Sequence, residues 1–234
     1  MPPPGVDGLV LLHLAKPGGA AVKAVDLEGR GVWTVRFPTL VRFASFLEDG
    51  LVLADETSVV RVDPRSGAAV WTWTPPSRMR SFVLAGASLV FLAQDPRGES
   101  DMQVAALDAL SGTPTWTRPF EGIPSSRLHA AGEGVVFTTV QPNRIWMFEA
   151  DTGRRTGPEA TYPEGLATQV VHVAPELLVL LAEGRSIDAY ELPTGRLRWR
   201  APLPNTAVRA VEVGREGLVL LAMRRRLNGP EEGG

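Results

Sequence analysis

The stretch "VVRVDPRSGAAVWTW", Val59 to Trp73, holds two runs of alternating apolar residues around a tight turn. Trp71 stands four residues after the turn glycine, Gly67. Alternation of apolar and polar side chains over a few residues marks a half-buried strand. An acid at the head of a turn accepts backbone N–H groups. A glycine at its end supplies the positive φ that other residues adopt only at a cost. The stretch therefore reads as a hairpin with a large flat ring on its second strand.

The hairpin recurs. The same glycine-to-tryptophan spacing joins Gly29 to Trp33, Gly112 to Trp116 and Gly195 to Trp199. A fifth copy, around Gly153, keeps the turn and has Gly157 where tryptophan is expected. These glycines, at 29, 67, 112, 153 and 195, lie 38, 45, 41 and 42 residues apart. That period belongs to propeller blades of four short strands each. The turns "VDPRSG", "LDALSG", "FEADTG" and "YELPTG" all place an acid four residues before the glycine and a hydroxyl residue just before it. The first copy, "VDLEG" (25–29), is one residue shorter.

Two further apolar segments precede each hairpin, as in "FVLAG" then "SLVFLA", and "VVHVA" then "ELLVLLA". Each unit thus has four strands, A to D, and helical periodicity is absent. The expected fold is all-β: a β-propeller of about five four-stranded blades. The unit order is B-C-D, four complete units, then A-B. Two arrangements fit it. In one, "AVRAVEV" (207–213) supplies the missing inner strand of the first unit and joins the chain ends in a closed ring. In the other, the blades form an open, partial propeller. The expected boundaries are an extension over 1–8, the propeller over 9–226 and a disordered tail over 227–234.

The turn-and-tryptophan pattern of "LDALSGTPTW", "VDPRSGAAVW" and "YELPTGRLRW" resembles the PQQ-like repeat of quinoprotein-type β-propellers. That family includes quinone-dependent dehydrogenases and non-enzymatic scaffolds such as the outer-membrane-assembly lipoproteins. The resemblance to the latter implies a rigid scaffold for protein–protein contact, with no cofactor. A quinoprotein dehydrogenase or its remnant is the alternative, and an anion- or carbohydrate-binding module a third. The resemblance points to the fold more than to any reaction. On it, Trp33, Trp71, Trp116 and Trp199, with Gly29, Gly67, Gly112, Gly153 and Gly195, are expected to dock one blade on the next.

Composition narrows the chemistry. A net charge of −2 argues against a general nucleic-acid binder. The absence of cysteine excludes disulfides, thiolate metal sites and cysteine nucleophiles. No apolar run approaches the roughly 20 residues a spanning helix needs. "GLVLLHLA" (8–15) lacks the basic flank of a signal peptide, so the chain as it stands reads as cytoplasmic, and as periplasmic or exported if its start is truncated. The acidic loop "DPRGESD" (95–101) reads as a solvated loop rather than a Ca²⁺ site. His13, His129 and His172 are too scattered to suggest a metal.

One constellation stands out. Aligning the units on strand B places Arg42, Arg80, Ser126, Thr168 and Arg209 at one repeat position, with Arg127 adjacent to Ser126. In a propeller they would crowd one mouth of the central channel. Like charges that close favour a small anion or an acidic segment of a protein partner. The plainer expectation is that each pairs with a nearby acid.

Overall fold

The B segments are the most apolar runs of the chain, and in the second, third and fourth sheets they form strands with both faces buried. The computed structural model describes residues 8–16, 18–47, 49–94, 102–157, 160–162, 169–182, 186–203, 208–214 and 217–222. Described residues are strands, turns and coil, and none is helical. The first sheet has three antiparallel strands, β1 (Val10–Lys16), β2 (Gly19–Val25) and β3 (Gly31–Phe37). The second is β4 (Phe43–Phe46), β5 (Leu51–Ala54), β6 (Val59–Val62) and β7 (Ala69–Trp73), in that spatial order. The third is β8 (Met79–Ala85), β9 (Ser88–Gln94), β10 (Met102–Asp108) and β11 (Pro114–Phe120).

The fourth sheet has β12 (Ile123–Pro124), β13 (His129–Ala131), β14 (Gly134–Val140), β15 (Arg144–Glu149) and β16 (Ala160–Thr161). Both β12 and β13 pair with β14. The fifth is β17 (Gln169–Ala174), β18 (Leu177–Ala182), β19 (Ser186–Glu191) and β20 (Arg196–Pro202), and the sixth is β21 (Val208–Gly214) with β22 (Gly217–Ala222). Meandering four-stranded sheets with the strand order A-B-C-D are propeller blades. Among the described residues β21 pairs with β22 and with no other strand, so no hydrogen-bonded pairing joins it to β1. Of the two arrangements the sequence allows, ring closure by that pairing is not the one seen. The tail 227–234 and most of the extension 1–8 lie outside the described residues.

The chain divides into two compact units. One is Met1–Glu121, Arg127–Val135 and Phe148–Arg155, and the other is Gly122–Ser126, Val136–Met147 and Thr156–Gly234. In the first unit, successive residues of β5 serve different cores, because strand side chains alternate between faces. Leu51 and Leu53 pack with Val22, Ala24, Trp33 and Phe37 of the first sheet. Val52 and Ala54 pack with Leu89, Phe91 and Leu107 of the third. Each fully buried Leu or Val contributes about 1.5–3 kcal/mol. In the second unit, Val179, Leu181, Ile187 and Ala189 form the corresponding layer of the fifth sheet.

The C–D hairpins share a device that the sequence does not show. The register shifts just before each turn acid, so that Ala24 faces Trp33 while Val25 faces Gly31, and Arg61 faces Trp71 while Val62 faces Ala69. The same shift occurs at Ala106/Leu107 and at Ala189/Tyr190. The extra residue is the one preceding each tryptophan, which is Val32, Val70, Thr115 or Arg198. A β-bulge bends its strand and re-aims the next side chain.

In the first unit the rings so aimed meet the next turn. Trp33 Nε1 donates to Pro64 O (2.8 Å), Trp71 Nε1 to Leu110 O (2.9 Å) and Trp116 Nε1 to Ala150 O (2.9 Å). The rings lie on Gly67, Gly112 and Gly153, whose φ values are +70°, +74° and +64°. A Cβ on Gly67 or Gly112 would stand 2.6 Å from a ring carbon. These glycines are thus required by backbone conformation and by the ring. The joint between the second and third sheets has a second donor, because Leu110 O also accepts Arg61 Nη1 (3.0 Å). At the third, Arg118 Nε donates to Gly153 O (3.1 Å).

Where tryptophan is missing, small residues close the gap. In the second unit Gly157 (φ +77°) abuts Pro193 O so closely that any Cβ would overlap it, and Ala160 lies on Gly195.

The stability cost of a Cβ separates these two demands on glycine. Among the described residues nothing lies within 4 Å of where a Gly86 Cβ would stand, at φ +59°. Gly86→Ala is expected to cost about 1–2 kcal/mol for the left-handed conformation alone. Gly112→Ala adds the clash with Trp71, about 1–3 kcal/mol more. Denaturant midpoints of the two variants read the difference.

Candidate functional site

The repeat-position arginines stand at a second recurrent bulge, at the start of strand A. In the second sheet both Arg42 and Phe43 oppose Ala54, with Arg42 N–H donating to Ala54 O at 2.8 Å. In the third, Met79 faces Ala93 and Ser81 faces Leu92, which leaves Arg80 as the extra residue. In the fourth, Ser125 and Ser126 N–H groups share Thr138 O, at 2.9 and 3.4 Å. In the sixth, Val208 faces Ala222 and Ala210 faces Leu221, which leaves Arg209 between them. Thr168 lies outside the described residues.

An ion pair and two hydrogen bonds connect the segments that carry three of these arginines within the first unit. Arg42 Nη2 pairs with Glu56 Oε1 at 2.7 Å. Glu56 O accepts the N–H of Met79, the residue before Arg80, at 2.9 Å. Ser81 Oγ, the residue after Arg80, accepts the N–H of Leu128, the residue after Arg127, at 2.9 Å. Arg42, Arg80 and Arg127 are all exposed. Arg209 has the same place in its own sheet but belongs to the other unit. Sequence alignment cannot show that Glu56 draws Arg42 to itself, because they are 14 residues apart on different strands' ends.

His129, two residues past Arg127, is partly buried. Burial, reinforced by the Arg127 charge, pushes its imidazole below the ordinary histidine value, so it is neutral at physiological pH. His172 is partly buried on β17, and His13 is exposed on β1. Among the described residues no group of three acids or histidines could hold a metal ion. The acidic loop 95–101 lies outside them.

The turn that carries Glu56 is built on a buried carboxylate that sequence reading passed over. Asp55 is fully buried. Its Oδ1 accepts Thr57 N–H and Ser58 N–H, both at 2.7 Å, and both their hydroxyls at 3.0 Å. Its Oδ2 accepts Thr39 N–H (3.1 Å) and Thr39 Oγ1 (2.8 Å). Six donors replace the water the carboxylate lost. Burial raises its proton affinity, but the Thr57 and Thr39 hydrogen bonds outweigh that and hold it below the usual carboxylate range. "ADETS" (54–58) is in hindsight an Asx turn, with a carboxylate two and three residues before the N–H groups it takes.

Two further features were not legible. Trp73, which has no counterpart in other units, lies against Phe91 with ring centroids 5.5 Å apart. The two rings help wall an apolar cavity of about 90 Å³, with Ala105, Pro114 and Thr117. In the second unit Asp188 is buried on β19 and takes both Arg200 Nε (2.8 Å) and Nη2 (2.7 Å). Burial, and then the Asp188 charge, push the neighbouring Tyr190 phenol up to about 12. Two-pronged guanidinium–carboxylate contacts of this kind fix geometry as well as charge.

Trp199 is 40% exposed and its indole makes no hydrogen bond among the described residues. Among the described residues nothing lies within 4 Å of where a Gly29 Cβ would stand.

Asp55 sets a pH dependence with a definite sign. Its folded-state proton affinity is depressed, so its contribution is present above the unfolded carboxylate value of about 4 and is lost as pH falls through the folded value. Asp55→Asn is expected to cost about 1–3 kcal/mol at pH 7, where its buried donors lose an acceptor. The gap from wild type should narrow in acid. Denaturation at pH 7 and near pH 3 reads both.

No helix among the described residues is long and apolar enough to cross a membrane. The chain is similar in structure to the propeller in the "Complex of KlAtg21 with coiled-coil of AgAtg16", with a TM-score of 0.63 and 13% identity over 92% of this chain and 74% of that one. It also aligns with BamB from Moraxella catarrhalis, with a TM-score of 0.43 and 15% identity over 92% of this chain and 76% of that one. No curated protein matches the chain. The profile of the family described as outer membrane protein assembly factor BamB matches residues 18–164. With the repeated acid-to-glycine turns, the four-stranded blades and more than half of the sequence matched, the chain belongs to that family of PQQ-like propellers.

Proposed function

We propose that this propeller is a scaffold that captures an acidic segment of a protein partner along the row Arg42, Arg80 and Arg127. The observation that carries this reading is the row itself: three exposed guanidiniums at strand-A starts, strung together by Glu56 O, Ser81 Oγ and the ion pair of Arg42 with Glu56. Guanidiniums take carboxylates in pairs of parallel hydrogen bonds, so the row offers a ladder to a chain of acids. The bulge beneath Arg80 shapes its start without removing it from solvent. Loops and strand ends held by a rigid scaffold are the usual place for binding groups. The family description and the Atg21 complex, in which a propeller is solved with a coiled coil, agree with a role in protein contact.

Glu56 acts in this reading as an internal competitor for Arg42. An incoming carboxylate displaces it at modest cost, since exposed ion pairs contribute only about 0–1 kcal/mol. His129, neutral at pH 7, adds no charge to the row.

Fluorescence anisotropy with a labelled poly-glutamate peptide tests this. Wild type should bind in low salt, weaken as salt rises and vary little between pH 7 and 8. The triple variant Arg42→Ala, Arg80→Ala, Arg127→Ala should bind about tenfold more weakly or worse. Glu56→Gln should bind about two- to threefold more tightly, by the loss of its competition. Equal affinity of wild type and triple variant would count against the row.

A further inference from the structure

The joint between the second and third sheets is underfilled where the joint before it is full. Between the first and second sheets, Val35, Leu53 and Val60 pack in one core. Register gives their counterparts one joint on: Trp73 for Val35, and the cross-strand pair Phe91 and Ala105 for Leu53 and Val60. One rung further, where the second sheet places the hydrogen-bonded Asp55, the third has Ala93 opposite Gln103. Two wide rings thus stand beside two alanines. Side chains of such unequal size do not interdigitate to the density of an ordinary core, and an apolar cavity of about 90 Å³ remains.

The cavity lies wholly within the first unit. Its floor is buried, with Phe91, Ala93 and Ala105 at most 8% exposed. Its rim reaches solvent through Pro76, Pro114 and Thr117, which are exposed. No charged side chain lines it. An ion that entered would lose its water and meet no opposite charge, so the fitting occupant is neutral.

The walls favour a flat occupant. The Trp73 and Phe91 rings have centroids 5.5 Å apart and planes inclined at 48°. They make a corner in which a third ring meets one by its face and the other by its edge. A puckered aliphatic ring gains the burial without that geometry. The wall also carries polar groups. The Ser77 hydroxyl is taken by Gln94 O. Among the described residues the Gln103 amide and the Thr117 hydroxyl have no hydrogen-bond partner. An amide offers both a donor and an acceptor, which suits a hydroxyl.

We infer that this cavity is a binding site for a neutral phenol, with a single aromatic ring seated against Trp73, Phe91 and Ala105 and its hydroxyl on Gln103. The volume limits the occupant to one ring, since an enclosed apolar cavity of about 150 Å³ takes benzene and no more. The open rim accommodates what exceeds the smaller space here. Trp73 acquires a use on this reading. It stands in this unit alone, and docking of the second sheet on the third is already carried by Trp71.

The probe is p-cresol, titrated into the isotope-labelled full chain and followed by NMR at the indole N–H signals. The Trp73 signal, identified by its loss in Trp73→Val, should move saturably with a Kd of about 1 mM or tighter. Cyclohexanol should bind about threefold more weakly or worse, for want of a flat face. Ala105→Ile keeps the β-branching of Val60 and occupies the space. It should bind p-cresol about tenfold more weakly or worse, with a denaturant midpoint no lower than wild type's, since it fills a void. Gln103→Leu should weaken p-cresol about threefold or more and leave toluene unchanged. N-acetyl-tyrosinamide separates the two sources of such a ring: tighter binding than p-cresol assigns it to a tyrosine side chain, and weaker binding to a free phenol. The triple arginine variant should bind p-cresol as wild type does, so this site and the arginine row fail or stand separately. A Trp73 signal that p-cresol leaves unmoved, cyclohexanol bound as tightly as p-cresol, or Ala105→Ile binding as wild type does would each overturn the site.

Discussion

An indole N–H buried beside an apolar sheet must find an acceptor, and in this chain it finds one in the next sheet's turn. That requirement orders the first unit. Trp33, Trp71 and Trp116 each supply a wide ring to cover apolar surface and a single donor to set the distance. The acceptor is a backbone carbonyl, so the turn must hold one shape. The turn acid supplies that shape. Asp63 Oδ1 takes Arg65 N–H, Ser66 N–H and Ser66 Oγ, and Asp108 does the same with Leu110 and Ser111. Hydrogen bonds from Ser66 and Ser111 hold both carboxyls below the ordinary range. The acid, the hydroxyl and the glycine are thus one device, and the tryptophan of the preceding unit is its client.

The pattern of exceptions supports the same physics. At Gly157 the ring is gone, and the backbone of Pro193 moves into contact where a side chain would have stood. Interiors are close-packed, so a lost ring must be replaced by approach or by a cavity. Ala160 on Gly195 is the approach. The ring at Trp199 and the turn at Gly29 are the other exception, in which neither approach nor replacement has occurred among the described residues.

Much of this was legible in the sequence because the parts are local. Acid, hydroxyl, glycine and tryptophan lie within about ten residues of one another, and their recurrence near 40 residues gave the blade. Strand B was legible from its continuous apolar runs, such as "LLVLLA". The bulge before each tryptophan was not, because Val32, Val70 and Thr115 are β-branched residues found in any strand and Arg198 is not even that. It is a property of the pairing, not of the residue. Asp55 was missed for a different reason. Its donors include Thr39, which is 16 residues away and belongs to the connection from the first sheet. The arginine position was legible as a repeat, but the partnership of Arg42 with Glu56 and the links through Ser81 Oγ needed the fold.

The account stands on the claim that ring and glycine turn stabilise each other across the joint. A double-mutant cycle on Trp116 and Gly153 measures that coupling directly, with denaturant midpoints of the two single variants, Trp116→Ala and Gly153→Ala, and of the double. If the joint is as described, Gly153→Ala costs markedly less once the ring is gone, with a coupling of about 1 kcal/mol or more. Costs that simply add would mean that ring and turn stabilise the fold independently, and the joint would not be what holds adjacent sheets together.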